Sequence, residues 1–338
     1  MRIAHFARFA PHCCGQYETV RDLIWAEKLA KIEAVFIDGE NAENIEVIGK
    51  KDSWLEVQSI EAAYDADLLI QHSVIPLKIR DRHIPYLIAL HGRPENSFRL
   101  EQSGKMRVLS LVASKYKNDK DCKGFICFWK EHIPFWKALL PGANIYYITP
   151  PINTYKFKPD GKKVKFKVQG TPNLVIADIW REDRTPFNVI FAANYYRETY
   201  NKSAKLYIYG MPNMKWKNFL IPLVNNGFLP EIHGLTRHLD EVYRSGDILV
   251  TPNIIATRVI REALSSGMSI VAPHGCAYTK FTADPRHVDK FAKQIHYCWR
   301  WMLGHDDSRK ELHDKAKRYW DVSATGRAMK DILREVLP

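Results

Sequence analysis

Short apolar runs recur along the chain at residues 2–9, 34–37, 66–71, 86–90, 108–113, 123–128, 174–177, 205–209, 248–250 and 269–272, and each predicts a strand, the first of them buried. Between them the apolar positions take a helical period. Val20, Leu23, Ile24 and Ala30 line one face of a predicted helix over 18–29, and a second helix over 130–140 is stopped by Pro141-Gly142. Val259, Ile260, Ala263 and Leu264 face away from Arg258, Arg261, Glu262 and Ser265 in a third, and 288–302, 309–320 and 325–336 read as further helices. Strands alternating with helices predict an α/β protein with doubly wound parallel sheets. A chain of 338 residues supplies two ordinary cores, and the lysine-rich stretch 156–167 reads as the linker between them.

Residues 247–273 form a strand, loop, short helix and strand. In an open α/β sheet such a unit aims its loop and helix N-terminus at the crevice beyond the strand ends, where backbone amides attract phosphate. Glu262, Ala263, Gly267 and Ile270 to Ala272 carry a pattern of glutamate, alanine, glycine and apolar strand. That pattern resembles the donor-binding signature of retaining glycosyltransferases of family four. The resemblance implies the GT-B fold, two Rossmann-like doubly wound domains facing a cleft. It places an acceptor-side domain at 1–160, a nucleotide-binding domain at 161–322 and a helix at 323–338 that crosses back to the first. It also implies that Glu262 holds the ribose of a sugar nucleotide, and that the backbone at Thr257, Arg258 and Val259 holds its diphosphate. The family's first glutamate is replaced by Ile254, with Asn253 as the candidate substitute.

Other segments are similar to the same family. Pro11 to Glu18 resembles its phosphate-approach loop, keeping Gly15 but carrying Gln16 for the second glycine. LIALHGRP places His91 at a strand end where the family's histidine lies near the transferred sugar. In DIWREDRTPFNVIFAA, Arg181 and Arg184 are the candidates that neutralise the departing diphosphate, because a guanidinium grips two oxygens at once. Gly210 follows the strand 205–209, and His233-Gly234 matches the turn that meets the nucleotide base. His91, Arg181 and Arg184 are thus the expected catalytic group, with Gly15, Gln16, Gly210, His233, Gly234, Asn253, Thr257, Arg258, Val259 and Glu262 around the donor.

The net charge of +12 is local in origin. Residues 101–170 carry 14 Lys/Arg against 5 Asp/Glu, whereas residues 1–100 carry 12 against 15. Aromatic residues including Tyr116, Phe125, Trp129 and Trp136 are interleaved with the basic block, which suits either a polyanionic partner or a solvated face. The six cysteines do not form a disulfide framework, and Cys122, Cys127 and His132 lack a second ligand pair for zinc. No run approaches the length of a membrane span and the N-terminal apolar stretch is short for a secretory signal, so the chain reads as cytoplasmic, at most peripheral on the inner membrane surface.

The resulting expectation is transfer of a sugar from a nucleotide diphosphate, UDP-linked, with retention and with no metal or cofactor beyond the donor. The acceptor is expected to be polyanionic, either an anionic glycan or lipid or DNA with a hydroxymethylated base. A non-catalytic nucleotide-sugar or glycan binding protein and a GT-B sugar-nucleotide epimerase are the alternatives.

Overall fold

The apolar runs assemble into two sheets, one in each unit of the chain. A computed structural model describes all residues except 12–14, 42, 45, 93, 103–111, 115–116, 169, 179–186, 211–213 and 338. One unit comprises Met1–Pro151 with Trp320–Pro338, the other Ile152–Tyr319.

The first sheet is built from β1 (Arg2–Ala7), β2 (Glu33–Asp38), β3 (Lys51–Asp52), β4 (Leu55–Gln58), β5 (Leu68–Gln71), β6 (Tyr86–Leu90), β7 (Cys122–Cys127) and β8 (Ile145–Tyr147). Their order is β3-β4-β2-β1-β5-β6-β7-β8, parallel except for the β3/β4 pair. Successive residues of one strand enter different cores. Leu69, Ile88 and Phe125 pack on one face with Phe6 and Trp136, while Leu68, Ile70, Leu87 and Ile126 pack on the other with Leu23, Met329 and Leu333. Both faces are covered, which explains why these strands read as unbroken apolar runs.

The first unit also holds helices α1 (Gly15–Leu29), α2 (Leu77–Arg80), α3 (Pro94–Gln102) and α4 (Ile133–Leu139). The second holds α5 (Phe187–Thr199), α6 (Met214–Asn225), α7 (Leu239–Ser245), α8 (Arg258–Ser265), α9 (Val288–Leu303) and nearly all of α10 (Ser308–Trp320); α11 (Val322–Val336) returns to the first. Gly326 lets α11 press onto α1, since a Cβ there would stand 2.4 Å from the Ala26 carbonyl.

The second sheet contains β9 (Asn173–Ala177), β10 (Lys205–Tyr209), β11 (Ile232–His233), β12 (Ile248–Val250) and β13 (Ser269–Val271), in the order β11-β10-β9-β12-β13 and parallel throughout. Leu174, Ile176, Val250 and Val271 pack with Val189 and Ile190 of α5 and with Phe291 and Ile295 of α9.

Three expectations change. Helix α1 begins at Gly15 instead of residue 18, because Tyr17 is buried against Phe9 and Phe36 and its hydroxyl donates to Asp52 at 3.0 Å. The run 108–113 lies mostly outside the described residues, and 112–114 are helical instead of extended. The stretch 156–167 is stitched into the second unit, which begins at Ile152 instead of 161, while the first unit resumes at Trp320 instead of 323. The reason is local bonding: Arg244 donates to the carbonyls of Lys162 at 2.7 Å and Lys156 at 2.9 Å, and Ser265 donates to that of Phe157.

Candidate active site

In the second unit the chain winds outward from β9 in both directions, so the topological switch point lies between β9 and β12, at their carboxyl ends. Asp178 follows β9 and the turn Thr251-Pro252-Asn253 follows β12. Asn253, 1% exposed, joins them: its amide nitrogen donates to Asp178 Oδ2 at 2.7 Å and to Thr251 Oγ1 at 3.0 Å. Its Oδ1 is buried with no partner among the described residues, and so is the Thr257 hydroxyl. Unpaired buried polar atoms are costly, so both groups have hydrogen-bonding capacity that a polar ligand or water could take up.

Thr257 is the residue before α8 and does not cap it with its side chain. Its side chain therefore does not compete with an anion for the first-turn amides of the helix. Arg258 and Val259 are part-exposed there, whereas Glu262 is buried, its Oε1 held by Arg258 Nε at 2.6 Å. Ile254, where the resembled family has its first glutamate, is 41% exposed. Tyr243 of α7 joins this group. Burial, reinforced by the carboxylates of Glu262 and Asp178, holds its phenol well above the usual range, and its hydroxyl has no partner among the described residues.

Gly210 and His233 lie at the carboxyl ends of the neighbouring strands. Gly210 has φ +135° and a Cβ would fall 1.8 Å from the Asp178 carbonyl, so its part is to bring β10 against the end of β9. His233 stacks on Tyr209 at 4.9 Å, and Gly234 has open space around it. Arg181 and Arg184 lie outside the described residues.

The first unit gathers a different set at the carboxyl ends of β5 and β6, next to its own switch point between β1 and β5. His91 follows β6 and His72 follows β5, and His91 Nε2 lies 2.7 Å from His72 Nδ1. Gln16 donates to the His72 carbonyl, and Gly15 before it has open space where a Cβ would stand. Behind His72 the bonding continues to His5 of β1 and Glu27 of α1, both fully buried. Burial pushes the His91 imidazole down to about 3, and His72 is also held well below its usual value, by burial first and then by its neighbours His91 and His5. Sequence reasoning did not single out His5 or Glu27. A signal was present, since Glu27 falls three and four residues after Ile24 and Leu23, on the buried stripe of the helix.

The sequence contains two Asp-x-Asp pairs, Asp65/Asp67 and Asp119/Asp121. Asp67 and Asp121 immediately precede β5 and β7, at the amino ends of those strands, and their partners are Arg2 and His83; Asp119 binds Arg80 and Tyr86. Among the described residues no group of His, Cys, Asp and Glu is arranged to hold a metal, and no helix is long and apolar enough to cross a membrane.

Two Rossmann-like sheets, the second parallel throughout and the first parallel but for one edge pair, give the chain the fold of the GT-B glycosyltransferases. Solved structures carry that assignment. HepE of Anabaena in complex with UDP-glucose superposes with a TM-score of 0.72 at 12% identity, covering 99% of this chain and 100% of that one. An alpha-glucosyltransferase in complex with UDP and a 13-mer DNA containing an HMU base gives 0.67 at 11% identity, over 99% of both chains. A glycosyltransferase from Rickettsia africae gives 0.67 at 16% identity, over 99% of this chain and 98% of that one. No family model and no curated protein sequence matches the chain.

Proposed function

We propose that this protein is a glycosyltransferase that moves a sugar from a UDP-sugar to a hydroxyl of a polyanionic acceptor, with retention at the anomeric carbon and no metal or cofactor beyond the donor. The observation that carries the reading is the bridge from Asn253 to Asp178 across the switch point, with the unpartnered Asn253 Oδ1 and Thr257 hydroxyl beside the head of α8. A pyrophosphate on the α8 amides, a ribose near Glu262 and a sugar hydroxyl on Asn253 would satisfy these groups together. Arg181 and Arg184 would add charge stabilisation as the diphosphate departs. The donor identity is supported by the UDP and UDP-glucose held by the structural neighbours.

Acceptor binding is assigned to the first unit. DNA is favoured over a glycan or lipid by two observations: the basic excess of residues 101–170 and the DNA-bound structural neighbour. Ile254 favours one competing reading, a binding protein without turnover, because an apolar side chain stands where the resembled family has a carboxylate.

The test is release of UDP from UDP-glucose, alone and with duplex DNA carrying hydroxymethylated bases or with anionic vesicles. Slow release that DNA accelerates supports the proposal, acceleration by vesicles alone transfers the acceptor to lipid, and binding without any release establishes the competing reading.

A further inference from the structure

His91 and the three groups behind it share one direction. Glu27 Oε2 lies 2.8 Å from His5 Nε2, His5 Nδ1 lies 3.0 Å from His72 Nε2, and His72 Nδ1 lies 2.7 Å from His91 Nε2. The rings of His5 and His72 have centroids 5.3 Å apart and planes only 20° apart, which is the geometry of an in-plane N–H···N bond; a face-to-face stack would bring the centroids closer. With Glu27 as a carboxylate, His5 must donate from Nε2 and therefore accept on Nδ1. The same condition passes to His72 and then to His91. Every imidazole is thereby fixed as the Nε2–H tautomer, and the chain ends on His91 Nδ1, the one ring nitrogen of the three with no hydrogen-bond partner among the described residues, on a part-exposed side chain. Glu27 Oε1 is buried and also without a partner, so His5 is the only hydrogen-bonding partner of this carboxylate among the described residues.

We propose that Glu27, His5, His72 and His91 form a proton wire, in which His91 Nδ1 takes the proton of the acceptor hydroxyl and Glu27 stores it. This rests on the glycosyltransferase reading above. In the step, the acceptor O–H bond breaks and its electron pair forms the new bond to the anomeric carbon. The bond from that carbon to the phosphate oxygen breaks, its pair leaving on UDP. The proton lands on His91 Nδ1 while His91, His72 and His5 each pass their Nε2 proton inward. Glu27 ends as a neutral acid, and the reverse shift returns the proton to solvent. No imidazole ends the step charged. That matters because burial makes an imidazolium at His91 unfavourable, so this histidine serves as a base only if the proton moves on. His91 is the catalytic residue of the wire, and the other three are positioning and relay groups.

Two measurements decide it. In wild-type protein with nitrogen-15-labelled histidine, the imidazole spectrum at pH 7 is expected to show His5, His72 and His91 as Nε2–H tautomers, with His91 Nδ1 unprotonated. The Glu27→Gln variant keeps an oxygen that accepts from His5 but cannot store a proton. It is expected to keep the tautomers and the UDP-glucose affinity of the wild type and to transfer sugar roughly 100-fold more slowly, the scale of lost general base catalysis. A His91 proton on Nδ1, or a Glu27→Gln enzyme at wild-type rate, overturns the wire. A wild-type protein that neither binds nor cleaves UDP-glucose defeats the donor reading instead, and the tautomer spectrum then decides by itself whether the wire exists.

Discussion

Asn253 and Ile254 depart from the resembled family pattern at the position where a carboxylate meets the donor sugar. The geometry shows what the departure does: Asn253 turns inward to bridge to Asp178 while Ile254 is left exposed. A neutral amide thus occupies the crevice end of the turn, and its unpaired Oδ1 is the group left to receive a ligand. The histidines of the first unit have a measurable signature of their own. An unfolded histidine takes its proton near 6.5, whereas His91 in the fold does so at about 3 and His72 is also depressed. Between those values the unfolded chain binds more protons, so stability is fully present above 6.5 and is lost as pH falls toward 3. The titratable groups around the pair are His5 and Glu27, and among the described residues no lysine or arginine is bonded to any of the four. Urea unfolding at pH 7.5 and 4.5 is expected to show lower stability at 4.5, with a smaller difference in His91→Gln. An equal difference in the variant would mean that the folded protein protonates His91 as readily as the unfolded chain.

Elements meet closely only where a side chain is absent. Gly210 ends β10 against the carbonyl of Asp178, and Gly210→Ala combines a clash at 1.8 Å with a backbone angle that favours glycine. The expected cost is about 3 kcal/mol, seen as a lower denaturation midpoint with unchanged denaturant slope; a cost below about 0.5 kcal/mol would show that β10 can shift freely. The sequence displayed the interior strands well because both of their faces are buried, as at Tyr86–Leu90. It did not display β3 and β4, where Lys51 and Asp52 pair with Glu56 and Leu55 and no apolar run marks the turn. It showed the head of α8 through the switch from strand to helical period. The pairing of Glu262 with Arg258 was also legible, since the two stand four residues apart on one helix. The sequence could not show that His5, inside an apolar strand, bonds to Glu27, a contact made by packing between a strand and a helix that no local spacing encodes.

For the whole molecule, two units of similar size divide the candidate chemistry: polar atoms without partners at the switch point of the second, and a directional chain of imidazoles in the first. The basic excess of residues 101–170 is carried across the boundary between the units, since Ile152 begins the second. The donor reading assigns nucleotide affinity to the switch point of the second unit. Calorimetric titration of UDP-glucose into wild-type and Asn253→Ala protein tests it most directly. One saturable site is expected, weakened in the variant by about 1–3 kcal/mol, the cost of losing a buried hydrogen-bonding group. Absence of binding by the wild type, or an Asn253→Ala protein with undiminished affinity, would contradict the assignment of the donor site.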